Sequence, residues 1–233
     1  MDFTSYIPEH ILLYIFDLDG TLIDSLEDLF LSVNWILLKF EYPAIDRETV
    51  RRCVGNGAKN LLVQSFRASA KIACSEKAAL SPEKIEEVLV QYREYYNEHC
   101  TAHTRLYKGI REWLENLSVR GCKMAVLTNK PEFVTRRLLS SLGVFDYFVI
   151  VAGPETFKVL KPDPAGIYGI QKLTEITAER TVMIGDSIVD IQTARNAGVL
   201  ACGITGGLGD DGELIASFPD ILIERKQGLS LPD

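Results

Sequence analysis

The second half of the chain alternates between two kinds of segment, and this alternation limits the fold more than any other feature. From Leu106 onward, apolar runs of strand length are followed by amphipathic stretches of helix length. Strands and helices in alternation build a mostly parallel sheet covered by helices, so we predict an α/β fold. The predicted strands are residues 123–128, 147–151, 181–184, 200–204 and 221–224, and the predicted helices are residues 108–119, 131–142, 164–174 and 187–197.

The first half of the chain contains one predicted strand and then a long helical region. Residues 11–16 form a continuous apolar run, which is typical of a strand buried on both faces. After it, apolar residues recur every three or four positions until about residue 99, as in amphipathic helices. The sequence therefore predicts a split domain, in which residues 1–24 and 101–233 form a Rossmann-like parallel-sheet core. Residues 25–100 form an all-helical domain inserted into it.

Composition and charge exclude several classes of protein. The 233 residues carry a net charge of −7 and no long basic run, so nucleic acid and anionic membranes are not expected as main partners. No apolar run is long enough to span a membrane, and residues 1–10 lack the basic start of a signal peptide. The five cysteines include no C-x-x-C pair, so we expect small buried thiols in a reducing compartment. We expect a soluble, cytoplasmic protein and leave its oligomeric state open.

Polar residues stand at the predicted carboxyl ends of the strands. Ligands of open parallel sheets bind just beyond these ends, so residues far apart in sequence meet in one pocket. Gly20, in the first cluster, allows the backbone to approach a ligand closely. The clusters are Asp17-x-Asp19, Thr128-Asn129, Lys161 and Asp186-x-x-x-Asp190.

The acidic clusters are candidate metal ligands. Asp17 and Asp19 point to the same side of an extended chain, and Asp190 follows Asp186 by one helical turn. Adjacent carboxylates repel one another, and a bound cation or a shared proton relieves the repulsion. Oxygen ligands without cysteine or histidine favour a hard cation, and Mg²⁺ fits best. The structural alternatives are an Asp-Gly turn for the first cluster and a helix N-cap for Asp186.

The remaining clusters are candidate phosphate ligands. Lys161 would supply the positive charge that a phosphate needs beside several carboxylates, although a solvated loop lysine is an equal alternative. Thr128 and Asn129 offer a hydroxyl, an amide and backbone N–H groups at a helix start. The same two residue types are also ordinary helix caps.

Together these residues resemble the haloacid dehalogenase superfamily of phosphotransferases, and the match covers nearly the whole chain. The matching motifs, in order, are Phe16-Asp-Leu-Asp-Gly-Thr21, Thr128-Asn129, Lys161-Pro162 and Gly185-Asp-Ser-x-x-Asp190. Within the superfamily the chain is most similar to the phosphoglycolate phosphatase branch. That similarity rests on Leu22-Ile-Asp-Ser25, Val54-Gly-Asn-Gly57, Thr128-Asn-Lys-Pro131 and Ala194-Arg-Asn-Ala-Gly198.

The resemblance implies covalent catalysis by two aspartates. Asp17 attacks phosphorus and becomes an aspartyl-phosphate, whereas Asp19 protonates the leaving oxygen and then activates the hydrolytic water. An ionised carboxylate needs no base to act as a nucleophile, and phosphoryl transfer depends mainly on positioning and charge stabilisation.

The resemblance also implies two sets of binding groups. The implied Mg²⁺ ligands are Asp17, the backbone carbonyl of Asp19, and Asp186, with Asp190 as support. The implied phosphate-binding residues are Gly20, Thr128, Asn129 and Lys161.

The helical insert resembles a type-one cap, the element that determines specificity in this superfamily. The turn Gly55-Asn-Gly57 is the best candidate for a loop that reaches the substrate. Asn56 and Lys59 are therefore the candidate specificity residues. The alternative is a plain helix–helix turn with a surface lysine.

These inferences lead to one main hypothesis and three alternatives. The main hypothesis is a Mg²⁺-dependent phosphatase that hydrolyses a small phosphomonoester, with 2-phosphoglycolate as the first candidate. A phosphomutase of the β-phosphoglucomutase type is one alternative, and a pyrophosphatase or nucleotidase on the same scaffold is another. The non-enzymatic alternative is a phospho-acceptor or phosphate-binding protein.

Overall fold

The computed structural model describes residues 6–72 and 80–225, and within them the chain forms two compact units. One unit contains the chain up to Ile23 and from Leu106 onward, and we refer to it as the sheet unit. The other unit, Asp24–Arg105, is referred to as the helical unit. The chain therefore leaves the sheet unit once and returns to it once. That the helical unit acts as a cap stays a prediction.

The sheet unit is built on six parallel strands, which confirms the predicted α/β class. The strands of the chain are β1 (Leu13–Phe16), β2 (Ile23–Asp24), β3 (Arg105–Leu106), β4 (Lys123–Leu127), β5 (Ile150–Ala152), β6 (Thr181–Gly185), β7 (Leu200–Ile204) and β8 (Ile221–Ile223). The six-stranded sheet has the order β5-β4-β1-β6-β7-β8, whereas β2 and β3 form a separate two-stranded sheet. The strand order reverses around β1, and ligands of parallel sheets bind at such a reversal.

Helices account for most of the remaining structure. The helices of the helical unit are α1 (Leu26–Lys39), α2 (Arg47–Arg51), α3 (Gly57–Ile72) and α4 (Pro82–His99). The helices of the sheet unit are α5 (Ile110–Val119), α6 (Glu132–Ser141), α7 (Pro154–Phe157), α8 (Ala165–Thr174), α9 (Ile188–Ala197) and α10 (Asp211–Ala216). No helix in the described part of the chain is long and apolar enough to cross a membrane.

Strand β1 is the centre of the sheet unit, and its apolar sequence explains why. All four of its side chains have no exposed surface, since β4 and β6 flank it and helices cover both faces. The Phe16 ring packs edge to face against Trp113 of α5, with 5.2 Å between ring centres, and against Phe148, with 6.3 Å between ring centres. Burying one such ring stabilises the fold by roughly 1.5–3 kcal/mol. This packing gives the carboxyl end of β1 a rigid support.

The helical unit has its own core and a buried acidic residue. Apolar residues of α1 such as Val33 and Ile36 are fully buried, in line with the predicted helical spacing. Asp28 is almost fully buried, and its carboxylate accepts bonds from the backbone N–H groups of His103 and Thr104. The His103 Nδ1 and the Thr104 hydroxyl also lie within 2.8 Å of this carboxylate. These contacts join the start of the unit to its end, and they explain how a buried carboxylate is tolerated there.

The structure corrects several predicted elements. Strand β1 begins at Leu13, two residues later than predicted. The prediction of strand at residues 147–149 is wrong: β5 begins at Ile150, and Tyr147 ends a turn of 3₁₀ helix that starts at Phe145. Helices α7 and α10 were not predicted, although Pro154 at a first helical position and Asp210 as an N-cap are ordinary start signals.

The cysteines within the described residues agree with the prediction of small buried side chains. Each of these four is free and buried, and the fifth, Cys74, lies outside the described residues. The buried free cysteines are Cys53, Cys100, Cys122 and Cys202.

Candidate active site

The carboxyl ends of three neighbouring strands carry the predicted site residues. Asp17 follows β1, Thr128 follows β4 and Asp186 follows β6. Phe16 is in register with Val126 and with Ile184, so the three strands end at the same level. The sheet register therefore brings together residues that are more than a hundred positions apart in sequence.

Lys161 is the cation at the centre of the site. Its Nζ lies 2.7 Å from Oδ1 of Asp17 and 2.6 Å from Oδ1 of Asp190, and only 4% of its side chain is exposed. Burial by itself lowers the pKa of Lys161, but the Asp17 and Asp190 carboxylates outweigh it and hold the pKa above its ordinary value. Lys161 is therefore charged throughout the neutral range and is not a solvated loop lysine.

Asn129 has a different role from the one that its residue type suggests. Its side-chain Oδ1 accepts the backbone N–H of Lys161 at 2.8 Å, and its Nδ2 donates to the Lys161 carbonyl at 3.2 Å. The amide side chain therefore positions the lysine rather than capping a helix. Thr128 is buried, and its hydroxyl accepts the backbone N–H of Lys130 at 3.2 Å. Phosphate binding by Thr128 and by the Asn129 backbone stays a prediction.

Asp186 is held in one orientation by donors to both of its oxygens. Its Oδ1 accepts the hydroxyl of Thr21 at 2.8 Å. Its Oδ2 accepts the backbone N–H groups of Leu208 and Gly209 at 2.8 and 2.9 Å. A Cβ atom on Gly20 would overlap the Asp186 carboxylate, so this close approach requires glycine. The carboxylate is thus part of the site and is more than a helix cap.

Asp190 is fully buried and uses both oxygens for contacts within the protein. Its Oδ1 binds Lys161, and its Oδ2 accepts the backbone N–H and the hydroxyl of Ser187 at 3.1 and 2.6 Å. The role of Asp190 in supporting a bound metal, which the family resemblance implies, stays a prediction. Asp190 fixes both the central lysine and the start of α9.

The three buried carboxylates fit a divalent cation. One oxygen each from Asp17, Asp186 and Asp190 lies within 4.8 Å of the other two, and all three belong to the sheet unit. Lys161 supplies one positive charge against these three carboxylates, so the cluster keeps excess negative charge. A set of oxygen donors alone is the type that Mg²⁺ prefers. Participation of the Asp19 backbone carbonyl in metal binding stays a prediction.

The charge imbalance appears in the acidities of the same groups. Burial, together with the Asp190 and Asp186 carboxylates, raises the pKa of Asp17 to about 7 even though Lys161 opposes the shift. Burial and the Asp190 carboxylate raise the pKa of Asp186 to about 6, against the donors from Gly209 and Thr21. Without a further cation, full ionisation of this cluster is therefore costly.

Two features of the site were missed at the sequence level. Nζ of Lys130 lies 2.9 and 2.7 Å from the two carboxylate oxygens of Asp19, and both side chains are mostly buried. Lys130 belongs to the motif Thr128-Asn-Lys-Pro131, which was the available signal. The loop Gly206-Gly-Leu-Gly209 was not among the predicted site segments, but the N–H groups of Leu208 and Gly209 hold Asp186.

The predicted specificity residues lie in the helical unit. Asn56 is exposed, and Lys59 forms an exposed ion pair with Glu86 at 2.5 Å. Lys59 is thus a surface lysine in this structure, as the alternative of a plain helix–helix turn expects. A role for Asn56 and Lys59 in substrate binding stays a prediction.

Comparison with known proteins identifies the family. The family described as "Haloacid dehalogenase-like hydrolase" matches residues 14–204 of the chain. This span includes the Asp17, Thr128 and Lys161 segments and the Asp186–Asp190 pair. The chain belongs to the haloacid dehalogenase-like hydrolases. The predicted superfamily is thereby confirmed.

Within this family, curated relatives identify the branch. The chain is 34% identical over 222 residues to a phosphoglycolate phosphatase of Vibrio parahaemolyticus, and the match covers 93% of each protein. It is 35% identical over 193 residues to a phosphoglycolate phosphatase of Colwellia psychrerythraea, covering 83% of this chain and 84% of the relative. This haloacid dehalogenase-like hydrolase is therefore a phosphoric monoester hydrolase of the phosphoglycolate phosphatase-like branch.

A solved structure supports the same assignment. The crystal structure of a predicted phosphoglycolate phosphatase from Haemophilus somnus superposes with a TM-score of 0.85 at 32% identity. The superposition covers 92% of this chain and 94% of that protein. The haloacid dehalogenase-like fold thus extends over nearly the whole hydrolase.

Proposed function

We propose that this phosphatase hydrolyses a small phosphomonoester, with 2-phosphoglycolate as the first candidate, through an aspartyl-phosphate formed on Asp17. The observation that carries the proposal is the position of Lys161 between the Asp17 and Asp190 carboxylates at the end of β1. An ionised carboxylate beside a buried ammonium group combines a nucleophile with a binding charge for the phosphoryl oxygens.

The first chemical step transfers the phosphoryl group to the enzyme. A carboxylate oxygen of Asp17 forms a bond to phosphorus while the bond from phosphorus to the leaving oxygen breaks. Asp19 donates its proton to that oxygen, so the product leaves as an alcohol. The contact of Asp19 with Lys130 fixes the orientation of the Asp19 carboxyl group within the site.

The second step releases orthophosphate. Asp19, now ionised, takes a proton from a water molecule whose oxygen attacks phosphorus. The bond between phosphorus and Asp17 breaks, and the carboxylate of Asp17 is restored. The same residue thus acts as an acid in one step and as a base in the next.

Charge stabilisation comes from the groups around Asp17. Lys161, the Thr128 hydroxyl and the Asn129 backbone N–H bind the phosphoryl oxygens, and Asp190 holds Lys161 in place. Asp17, the Asp19 carbonyl and Asp186 would hold Mg²⁺, which would supply positive charge that offsets both the carboxylates and the phosphate.

Two independent facts support the candidate substrate. Relatives that align along 93% of this chain are named phosphoglycolate phosphatases. In addition, Lys130 places a second buried cation beside Asp19, where the leaving oxygen is protonated. A carboxylate on the carbon next to that oxygen, as in 2-phosphoglycolate, is attracted to this charge.

The experiment that tests the proposal measures orthophosphate release from a panel of compounds with and without Mg²⁺. The panel contains 2-phosphoglycolate, ethyl phosphate, sugar phosphates, nucleotides and pyrophosphate. We expect Mg²⁺-dependent release with the highest kcat/KM for 2-phosphoglycolate. Release at equal rates with and without divalent cations, or none from any phosphomonoester, contradicts the proposal.

Mg²⁺ is expected to stabilise the protein more in mildly alkaline than in acidic solution. The folded-state pKa values of Asp17 and Asp186, about 7 and about 6, lie above those of unfolded aspartates. Their contribution to stability is therefore largest in acid and is lost as the pH rises through these values. Protons no longer compete with the metal above this range, so the Mg²⁺-induced rise in Tm is larger at about pH 8 than at about pH 5. Differential scanning fluorimetry measures the Tm with and without Mg²⁺, and an equal Mg²⁺-induced rise in Tm at both pH values contradicts the account.

Replacing Lys130 by methionine is expected to lower kcat by about 10–100-fold, because Asp19 loses the contact that directs it and general acid–base catalysis contributes about 10²–10⁴-fold. The side chain is mostly buried, and methionine keeps its approximate length. Steady-state kinetics with 2-phosphoglycolate measures the change. Lys123→Met is the matched control, since Lys123 is exposed at the opposite end of β4. An unchanged kcat in Lys130→Met excludes Lys130 from the reaction.

A further inference from the structure

Arg225, two residues after the end of β8, contacts two loops of the sheet unit. Its Nη1 donates to the Gly20 carbonyl at 2.9 Å and lies 3.4 Å from the Gly206 carbonyl. Its Nη2 donates to the Thr21 carbonyl at 2.7 Å. The guanidinium carbon also lies 3.7 Å from the centre of the Tyr107 ring, which limits the positions that the side chain can take. Arg225 therefore joins two backbone segments that are distant in sequence.

Both of these loops bind Asp186, each through a different carboxylate oxygen. The first loop binds Oδ1 through the Thr21 hydroxyl, and Thr21 is also the residue whose carbonyl accepts from Arg225. The second loop begins at Gly206 and binds Oδ2 through the N–H groups of Leu208 and Gly209. The donors that orient Asp186 are thus fixed relative to one another by one guanidinium group.

We propose that Arg225 is a positioning residue that holds Asp186 in the orientation needed for binding the divalent cation. The inference rests on the proposed function, because that function makes Asp186 a metal ligand. A guanidinium group suits this task, since its planar donors bind several carbonyls in a fixed arrangement. Groups that orient the ligands of a metal ion change metal affinity although they never touch the ion.

A structural role and a positioning role of Arg225 predict different effects of its removal. A purely structural role predicts lower thermal stability with the same affinity for the metal. A positioning role predicts weaker metal binding at a temperature where the protein is fully folded. The affinity for Mg²⁺ and the Tm of each variant are therefore both measured.

The test is isothermal titration of Mg²⁺ into the full-length, metal-free protein and its variants. We expect Arg225→Met to raise the Kd for Mg²⁺ by about 10–100-fold, the usual range for losing a residue that orients metal ligands. Arg225→Lys keeps the charge but not the planar donors, so its Kd is expected to lie between those of Arg225→Met and the wild type.

Arg111→Met is the matched control. Arg111 also donates to two backbone carbonyls of the sheet unit, those of Leu142 at 2.6 Å and Gly143 at 3.1 Å. Its removal deletes a comparable pair of bonds at a place with no contact to Asp186. We expect an unchanged Kd for Mg²⁺ in this variant.

The outcomes distinguish the two proposals. If the wild type binds Mg²⁺ and Arg225→Met binds it equally well, the inference about Arg225 is wrong and the proposed function is unaffected. If Arg225→Met does not fold, an unchanged Kd in Arg225→Lys overturns the inference. If the wild type itself binds no Mg²⁺, the metal-dependent function fails, and the inference fails with it.

Discussion

Replacing Asp17 by asparagine is expected to lower kcat by about 10⁴-fold or more, because the amide cannot act as the nucleophile. The fold is expected to persist. Burial and the neighbouring carboxylates raise the pKa of Asp17 to about 7, so its ionised form opposes folding of the metal-free protein at neutral pH. Asparagine removes that charge while keeping the size of the side chain. The measurement pairs kcat for 2-phosphoglycolate with Tm in the absence of metal, and we expect no decrease in Tm.

Asp146→Asn is the control for this variant. Asp146 is exposed and lies in the 3₁₀ turn that precedes β5. This turn is at the amino end of the strand, whereas the site lies at the carboxyl ends. Its substitution is expected to leave both kcat and Tm unchanged. A folded Asp17→Asn protein with activity near that of the wild type would falsify covalent catalysis by this residue.

Replacing Lys161 by methionine is expected to lower kcat/KM by about 10³-fold, comparable to removing an essential donor to a developing charge. It is also expected to destabilise the metal-free protein by about 3 kcal/mol at neutral pH, because two buried carboxylates lose their counter-charge. The loss of stability decreases in acid, where Asp17 becomes protonated and needs no partner. Steady-state kinetics and urea unfolding at two pH values measure these effects.

Lys172→Met controls for the loss of a lysine from the sheet unit. Lys172 is exposed on α8, so the change is expected to alter stability by less than about 0.5 kcal/mol. If Lys161→Met and Lys172→Met have the same kcat/KM and the same free energy of unfolding, the buried ion pairs of Lys161 contribute to neither activity nor stability.

The main elements of the sheet unit could be predicted because their local patterns agree with their tertiary environment. The apolar run before Asp17 becomes the fully buried central strand, which explains its lack of alternation. The predicted strand 147–151 begins three residues before β5, because residues 147–150 are the aromatic and β-branched types that are typical of strands. Periodicity alone does not separate a strand from a turn over a few residues.

The strand-end residues of the candidate site could be predicted from topology, but most of their partners could not. Parallel strands place Asp17 and Asp186 at one edge, whichever details the loops adopt. The contact between Asp19 and Lys130 joins residues 111 positions apart, and that between Arg225 and Gly20 spans 205 positions. The motif Thr128-Asn-Lys-Pro131 contains Lys130 but does not indicate its partner, and a lone arginine such as Arg225 is typical of a solvated surface.

Asn129 illustrates a further limit of sequence interpretation. Its position after β4 marked it as a site residue, and that position is at the candidate site. The pair of hydrogen bonds between its side chain and the Lys161 backbone depends on where the loop that carries Lys161 lies. The position of Asn129 in the sequence thus indicated the site, whereas the role of its side chain depends on tertiary contacts.

Trapping the phosphoryl-enzyme tests the central claim most directly. Asp19→Asn is mixed with an aryl phosphate, whose leaving group needs no proton, and the reaction is stopped with acid for peptide mass spectrometry. Because the variant lacks the base that activates water, we expect a phosphoryl group to accumulate on Asp17. The adduct is expected to be absent from the double variant Asp17→Asn/Asp19→Asn. Turnover of the aryl phosphate without any adduct on Asp17, or an adduct on another residue, would contradict the account.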